Sequence, residues 1–169
     1  MAIKDGMIME FKHEMANTRK MLERVPFEKG TYKPHEKSRA AVNLAHHVAN
    51  VPTWIGRVIT TNEFDVAIPG AFPKVETPTT SEELLAFFDK TNAEALKHLE
   101  SATDEQLMTP WTFRMGGNAI FTLPKVAAIR NMALNHQYHH RGQLSVYLRL
   151  MDVPVPGMYG PSADEQRPM

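Results

Sequence analysis

The stretch PKVAAIRNMALNHQYHHRGQLSVYLRLM, Pro124 to Met151, opens on a proline, whose missing N–H costs nothing in a first helical turn, and holds no breaker before Gly142. Along it Val126, Ile129, Ala133, His136, His140, Leu144, Tyr147 and Met151 recur at alternating steps of three and four. That is one stripe of an amphipathic helix, so the spacing predicts a long helix over 123–151 with two histidines on its core-facing side. Residues four apart project within about 40° of each other, so His136 and His140 point the same way, whereas His139 is rotated by about 100° from His140 and flanks them.

Working outward, three more helical stretches emerge. Ile8, Phe11, Met15, Thr18, Leu22 and Val25 form the stripe of a first helix, which Pro26 ends. After Ser38, the positions Ala40, Leu44, His47, Val51, Trp54 and Val58 step by four and three, and Pro52 should kink or split that second helix. His47 faces inward on this count, while His46 falls in line with Arg39, Thr53 and Arg57 and faces outward. Thr80 and Glu83 have capping-box spacing and open a third helix with Leu84, Phe88, Ala95 and Leu99 on one side. Residues 62–80, with Pro69, Gly70, Pro73 and Pro78, read as a loop. Thr103 and Gln106 repeat the capping signal for a short extra helix, and residues 111–121 around Gly116-Gly117 are either an irregular loop or a small hairpin. Pro154, Pro156, Gly157, Gly160 and Pro161 mark an extended tail. The expectation is an all-α fold, a four-helix bundle forming a single domain over 1–169, with a short extra helix or small hairpin between the third and fourth helices.

Composition narrows the function. Of 169 residues 43% are hydrophobic and 22% charged, the balance of a globular chain. Nineteen basic and nineteen acidic side chains cancel with no basic run, which argues against a nucleic-acid partner. No window approaches the roughly 20 apolar residues of a membrane span, and the first ten residues, with Asp5 and Glu10, do not resemble a signal peptide, so a cytoplasmic location is expected. With no cysteine, disulfides, thiolate metal sites, iron–sulfur clusters and a cysteine nucleophile are all excluded.

The eight histidines carry the chemical signal. Burying an imidazole among aliphatic side chains is costly unless its nitrogens find partners. A single buried histidine is usually a hydrogen-bonded core residue; three inward ones from two helices, His47, His136 and His140, suit a divalent metal equally well from spacing alone. Gln137 stands where the glutamate of an HExxH metalloprotease would be, and the Glu-x-x-His pairs of di-iron bundles are missing. Gly142 inside a helix costs roughly 1 kcal/mol relative to alanine and predicts a close helix–helix approach. Trp54 and Tyr147 read as packing, Arg141 as a solvated or ion-paired residue, and His13 and Asn17 as weaker site candidates.

NHQYHHRGQL, Asn135 to Leu144, and LAHHVANVPTW, Leu44 to Trp54, closely resemble the two motifs of the DinB/YfiT-like family, and the tail VPVPGMYGPSADE, Val153 to Glu165, resembles one branch of it. The resemblance runs in order through most of the chain. It implies a bundle of up-down-down-up order, often dimeric, that binds a divalent metal through three histidines. By motif the first ligand is His47, directly before Val48-Ala49, and His136 and His140 are the pair before Arg141-Gly142-Gln143. Only the resemblance suggests that Tyr159 and Asp164 of the tail fold back over the site, with His46 and His139 as outer groups.

Three neutral imidazoles leave the charge of a zinc, nickel, manganese or iron ion uncancelled and so acidify whatever takes an open position. Two enzymatic readings follow. A low-molecular-weight thiol is aimed at an electrophile, making a thiol S-transferase, as relatives imply; or hydroxide on the metal attacks an ester or amide, making a hydrolase. Hydrolysis usually needs a general base, and no inward carboxylate near the histidines presents itself, which favours the thiol. A non-catalytic metal-binding stress-response dimer is the alternative of another class. The expected partners are a small-molecule substrate and a second copy of the chain.

Overall fold

The computed structural model describes residues 2–165. Its first helix, α1 (Ile3–Leu22), starts well before the Ile8 expected from the apolar stripe and ends before Val25. The cause of the early start lies a hundred residues away: the Asp104 carboxylate accepts from the backbone amides of Ile3 at 2.9 Å and Lys4 at 3.1 Å, supplying the cap that Ala2 cannot. Pro52 splits the second stretch into α2 (Ala41–Asn50) and α3 (Thr53–Thr60). At α4 (Ser81–Ser101) the Thr80 hydroxyl accepts from the Glu83 amide at 3.2 Å, and the Glu83 carboxylate accepts from the Thr79 amide at 2.8 Å. The Thr103 hydroxyl caps the short α5 (Asp104–Met108) in the same way.

An all-α chain was too narrow an expectation. A small mixed sheet of order β1-β2-β3 is present, in which β1 (Glu63–Asp65) runs parallel to β2 (Pro110–Met115) and β2 pairs antiparallel with β3 (Asn118–Pro124). Residues 111–121 are therefore a hairpin. Its turn is Gly116-Gly117, with φ of 61° and 80°, a pair of positive values that glycine adopts without strain. The Asp65 carboxylate accepts from both turn amides, at 2.9 and 2.6 Å, which ties β1 to the hairpin and places a strand in a segment read as loop.

Because β3 continues to Pro124, the last helical segment begins at Lys125 rather than 123: α6 (Lys125–Ile129), a π-helical turn (Arg130–Asn135) and α7 (His136–Leu150) follow one another without a break. A π turn changes the angular phase of everything after it. A stripe counted at 3.6 residues from Val126 is consequently displaced: Gln137 and Arg141 are buried, at 1% and 4% exposure, while His136 and His140 sit half-buried on the shoulder.

Helices α2 and α4 pack together, α1 lies against α4 and α7, and α2 lies against α7. The core between them is built on Phe11, Leu44, Ile55, Phe88, Leu99 and Leu134, each fully buried or nearly so and each worth about 1.5–3 kcal/mol in burial. Close approach occurs at Gly56, where a Cβ would stand 2.6 Å from the His98 ring, between α3 and α4. At Gly142 a Cβ would meet nothing within 4 Å and the residue is exposed, so the close approach expected there does not exist. Among the described residues no helix is long and apolar enough to cross a membrane.

Candidate metal centre

α2 presents His47 and the start of α7 presents His136 and, one turn on, His140. The structure brings these three histidines together: one ring nitrogen of each lies within 4.8 Å of the others. Nε2 of His47 is 3.1 Å from Nε2 of His136, and the His47 and His140 rings are edge to face with centroids 4.5 Å apart.

The outward nitrogens of His136 and His140 are held. Nδ1 of His136 donates to the Met132 carbonyl at 3.2 Å, reaching back into the π turn. Nδ1 of His140 donates to Oε1 of Gln143 at 2.8 Å. Both acceptors can only accept, so each fixes the tautomer with the hydrogen on Nδ1 and leaves Nε2 with its lone pair. Histidine ligands of metal sites are held by such outer acceptors. An arrangement in which the ring nitrogens of three neutral imidazoles converge, with the far nitrogens of His136 and His140 tied off, fits a divalent cation.

Electrostatics keep the rings neutral. Burial pushes the His47 imidazole down to about 3, helped by the nearby charges of His140, Arg39, His136 and His46 if protonated. His136 and His140 are also lowered, in both cases chiefly by burial and against the opposing pull of Met132 and Gln143. Deprotonated nitrogen is the form that binds metal.

Two clefts open beside the cluster. One of about 430 Å³ has His140 and Gln143 in its wall together with Leu44, Val146 and Tyr147. The other, about 330 Å³, is lined by His46, His47, Asn43, Asn50 and Thr77. Arg39 lines both. No carboxylate among the described residues lines either.

The remaining candidates are placed as follows. His139 is exposed beside His140, with ring centroids 4.9 Å apart, as a flanking residue. His46 does not face outward: it is half-buried, its Nε2 is buried without a hydrogen bond, and its ring packs edge-on against Phe87 of α4 at 5.1 Å. Tyr147 is 8% exposed and donates to the Arg39 carbonyl at 3.1 Å. Tyr159 does fold back, but onto the α1–α7 seam, where its hydroxyl donates to Glu14 at 2.8 Å and accepts from Arg141 at 2.5 Å. Asp164 pairs with Arg149, the carboxylate being held down to about 2 by that guanidinium and by the Val155 amide, and neither tail residue lines the two clefts. His13 and Asn17 hydrogen-bond each other at 3.3 Å, and Asn17 donates to the Met158 carbonyl, so they also belong to the tail contact. Sequence reasoning passed over Arg39, because a lone arginine ahead of a helix carries no local signal that distinguishes it from ordinary surface charge.

A family model described as the DinB family matches residues 3–168. The chain is 50% identical over 32 residues to the uncharacterized protein YrdA of Bacillus subtilis strain 168, a match that spans 19% of this chain and 19% of that relative. Among solved structures, a DinB-like protein of Bacillus cereus ATCC 10987 superposes with a TM-score of 0.71 at 23% identity, over 94% of this chain and 98% of that one. The DinB-like protein YjoA of Bacillus subtilis gives 0.69 at 23% identity, over 95% and 98%. At that identity the likeness is one of fold.

Proposed function

The chain belongs to the DinB family, and on that premise we propose that it is a metal-dependent enzyme in which His47, His136 and His140 hold a divalent ion and a low-molecular-weight thiol is transferred to an electrophilic small molecule. The observation that carries the metal is the convergence of three ring nitrogens within 4.8 Å, two of whose rings have Nδ1 tied to an acceptor. A bound divalent ion supplies Lewis acidity there, lowering the pKa of a thiol or water that takes its open position. The protein's own part is to hold the imidazoles neutral and aimed, and to offer a walled cleft beside them. The transfer forms a carbon–sulfur bond while the leaving group departs with its bonding pair, and the thiol proton passes to solvent.

What favours thiol transfer over the hydrolase reading is the lining of the two clefts, which lacks a carboxylate to serve as general base. Glu14, the one buried carboxylate among the described residues, is taken up by Arg141 and Tyr159. We further propose that the helices amount to a four-helix bundle in up-down-down-up order, that residues 1–169 act as one domain, and that the protein works as a cytoplasmic homodimer.

The test is metal content of untagged protein by inductively coupled plasma mass spectrometry, beside a His136→Ala, His140→Ala double variant. About one equivalent of zinc, nickel, manganese or iron in the parent and little in the variant is expected. An empty parent even after metal supplementation would sink the metal reading. Metal-loaded protein is then assayed with small thiols and 1-chloro-2,4-dinitrobenzene; a rate no higher than that of the metal-free control would leave the non-catalytic dimer as the better account.

A further inference from the structure

Arg39 stands where the two clefts meet, lining the one that contains His140 and the one that contains His47. Among the described residues its guanidinium has neither a salt bridge nor a hydrogen bond. Three other exposed arginines do find carboxylates, Arg19 with Asp89, Arg130 with Glu10 and Arg149 with Asp164, and exposed Arg24, which has no such partner among the described residues, lines neither cleft. The Arg39 backbone, in contrast, is pinned, because the Tyr147 hydroxyl of α7 donates to the Arg39 carbonyl at 3.1 Å. Lys37 adds a second cation to the larger cleft. Positive charge with no carboxylate to answer it, at the mouth of a site whose own ligands are neutral, is complementary to an anion.

The walls of the larger cleft say more about that anion. Leu44, Val146 and Tyr147 give one side an apolar surface, and about 430 Å³ is the volume of a small-molecule pocket. A guanidinium offers a planar fork of donors that matches a carboxylate in two parallel hydrogen bonds. We propose that Arg39 is the specificity-determining residue of the site and binds the carboxylate of a small amphipathic acid, whose apolar body lies along Leu44, Val146 and Tyr147 and whose other end reaches the histidine nitrogens. Only the last clause rests on the metal reading given above.

The probe is 3-phenylpropionate against its neutral isostere 3-phenylpropionamide, titrated into ¹⁵N-labelled protein in metal-free and zinc-loaded form and followed by amide chemical shifts. The acid is expected to shift the amides of Leu44, Val146 and Tyr147 with a Kd about tenfold below that of the amide, in both forms. Arg39→Gln, a substitution at an exposed position, is expected to bring the two ligands within about twofold while leaving the rest of the spectrum in place. Val146→Glu, exposed on α7, adds a negative charge to the cleft and is expected to weaken the acid selectively. Equal affinities in the parent, shifts confined to other surfaces, or a preference that survives Arg39→Gln would each overturn the inference. If the parent takes up no zinc, the metal reading fails by itself, and the preference measured on the metal-free protein still decides the role of Arg39.

Discussion

Nε2 of His47 and Nε2 of His136, residues 89 apart in the chain, face each other across 3.1 Å. With its Nδ1 hydrogen given to Met132, His136 offers a lone pair at Nε2, so without a metal His47 must turn its own hydrogen inward to avoid two opposed lone pairs. A cation removes that conflict by accepting from both. His47→Ala is therefore expected to lower metal affinity by several orders of magnitude while leaving the helical circular dichroism of the protein unchanged, since His47 is only half-buried. Metal titration by isothermal calorimetry reads this directly; undiminished affinity would remove His47 from the ligand set.

Gln143 acts one bond further out. Its amide oxygen is the acceptor that orients His140, at 2.8 Å. Gln143→Leu keeps the ligand and loses the acceptor, so full metal occupancy should still be reached at saturation but with affinity weakened about 10- to 100-fold. Gln143→Glu restores an acceptor and is expected to recover most of the loss. Competition with a chelator of known affinity separates the three proteins.

Much of this site was legible in sequence because the clustering of three histidines follows from spacing that survives in one dimension: residues four apart on a helix and a third histidine on a partner helix. The rest was hidden for definite reasons. The π turn over Arg130–Asn135 leaves no composition mark, and it rotates Gln137 and Arg141 into the interior and the histidines to the shoulder. The start of α1 depends on Asp104, which no local reading could connect to Ile3. His46 seemed to face outward because a helical stripe cannot show that Phe87 of another helix covers it.

The metal-free protein should lose stability in mild acid. His47 is held to about 3, and His136 and His140 are lowered, all chiefly by burial. In the unfolded chain a histidine titrates near 6.5, so as pH falls below that value the unfolded state takes up protons that the folded state refuses. Stability contributed by the neutral rings is thus fully present above about pH 6.5 and is lost progressively toward pH 3. Urea midpoints of metal-free parent measured between pH 8 and pH 4.5 should fall, and His47→Gln should flatten the dependence. A flat profile in the parent would mean that the folded rings take up protons as readily as the unfolded ones.

Gly142 lies mid-helix on α7, exposed, with open space where a Cβ would go. Gly142→Ala meets no neighbour and reduces the freedom of the unfolded chain, so it is expected to stabilise by about 0.4–1 kcal/mol, a rise of about 1–4 °C in Tm. Metal uptake should be unaltered. A fall in Tm that depends on protein concentration would instead place this face of α7 in a contact between two copies.

The seam between α1 and α7 is clamped by Arg141, whose guanidinium donates to the Glu14 carboxylate at 2.7 Å, to the Glu14 carbonyl at 3.0 Å and to the Thr18 hydroxyl at 3.2 Å, with Glu14 itself only 7% exposed. Removing one partner of such a pair strands the other charge away from water, so Glu14→Ala is expected to cost about 3–5 kcal/mol in urea denaturation. Replacing both with apolar residues, as Glu14→Leu with Arg141→Met, removes the stranded charge along with the attraction and should recover most of that loss. Tyr159→Phe is expected to cost about 1 kcal/mol or less, because that tyrosine is 71% exposed and water can replace its hydroxyl. Should the double variant be no more stable than Glu14→Ala, the stability would lie in the bonds from Arg141 to the Glu14 carbonyl and Thr18. The arginine would then be acting as a hydrogen-bonding strut between the two helices rather than as half of an ion pair.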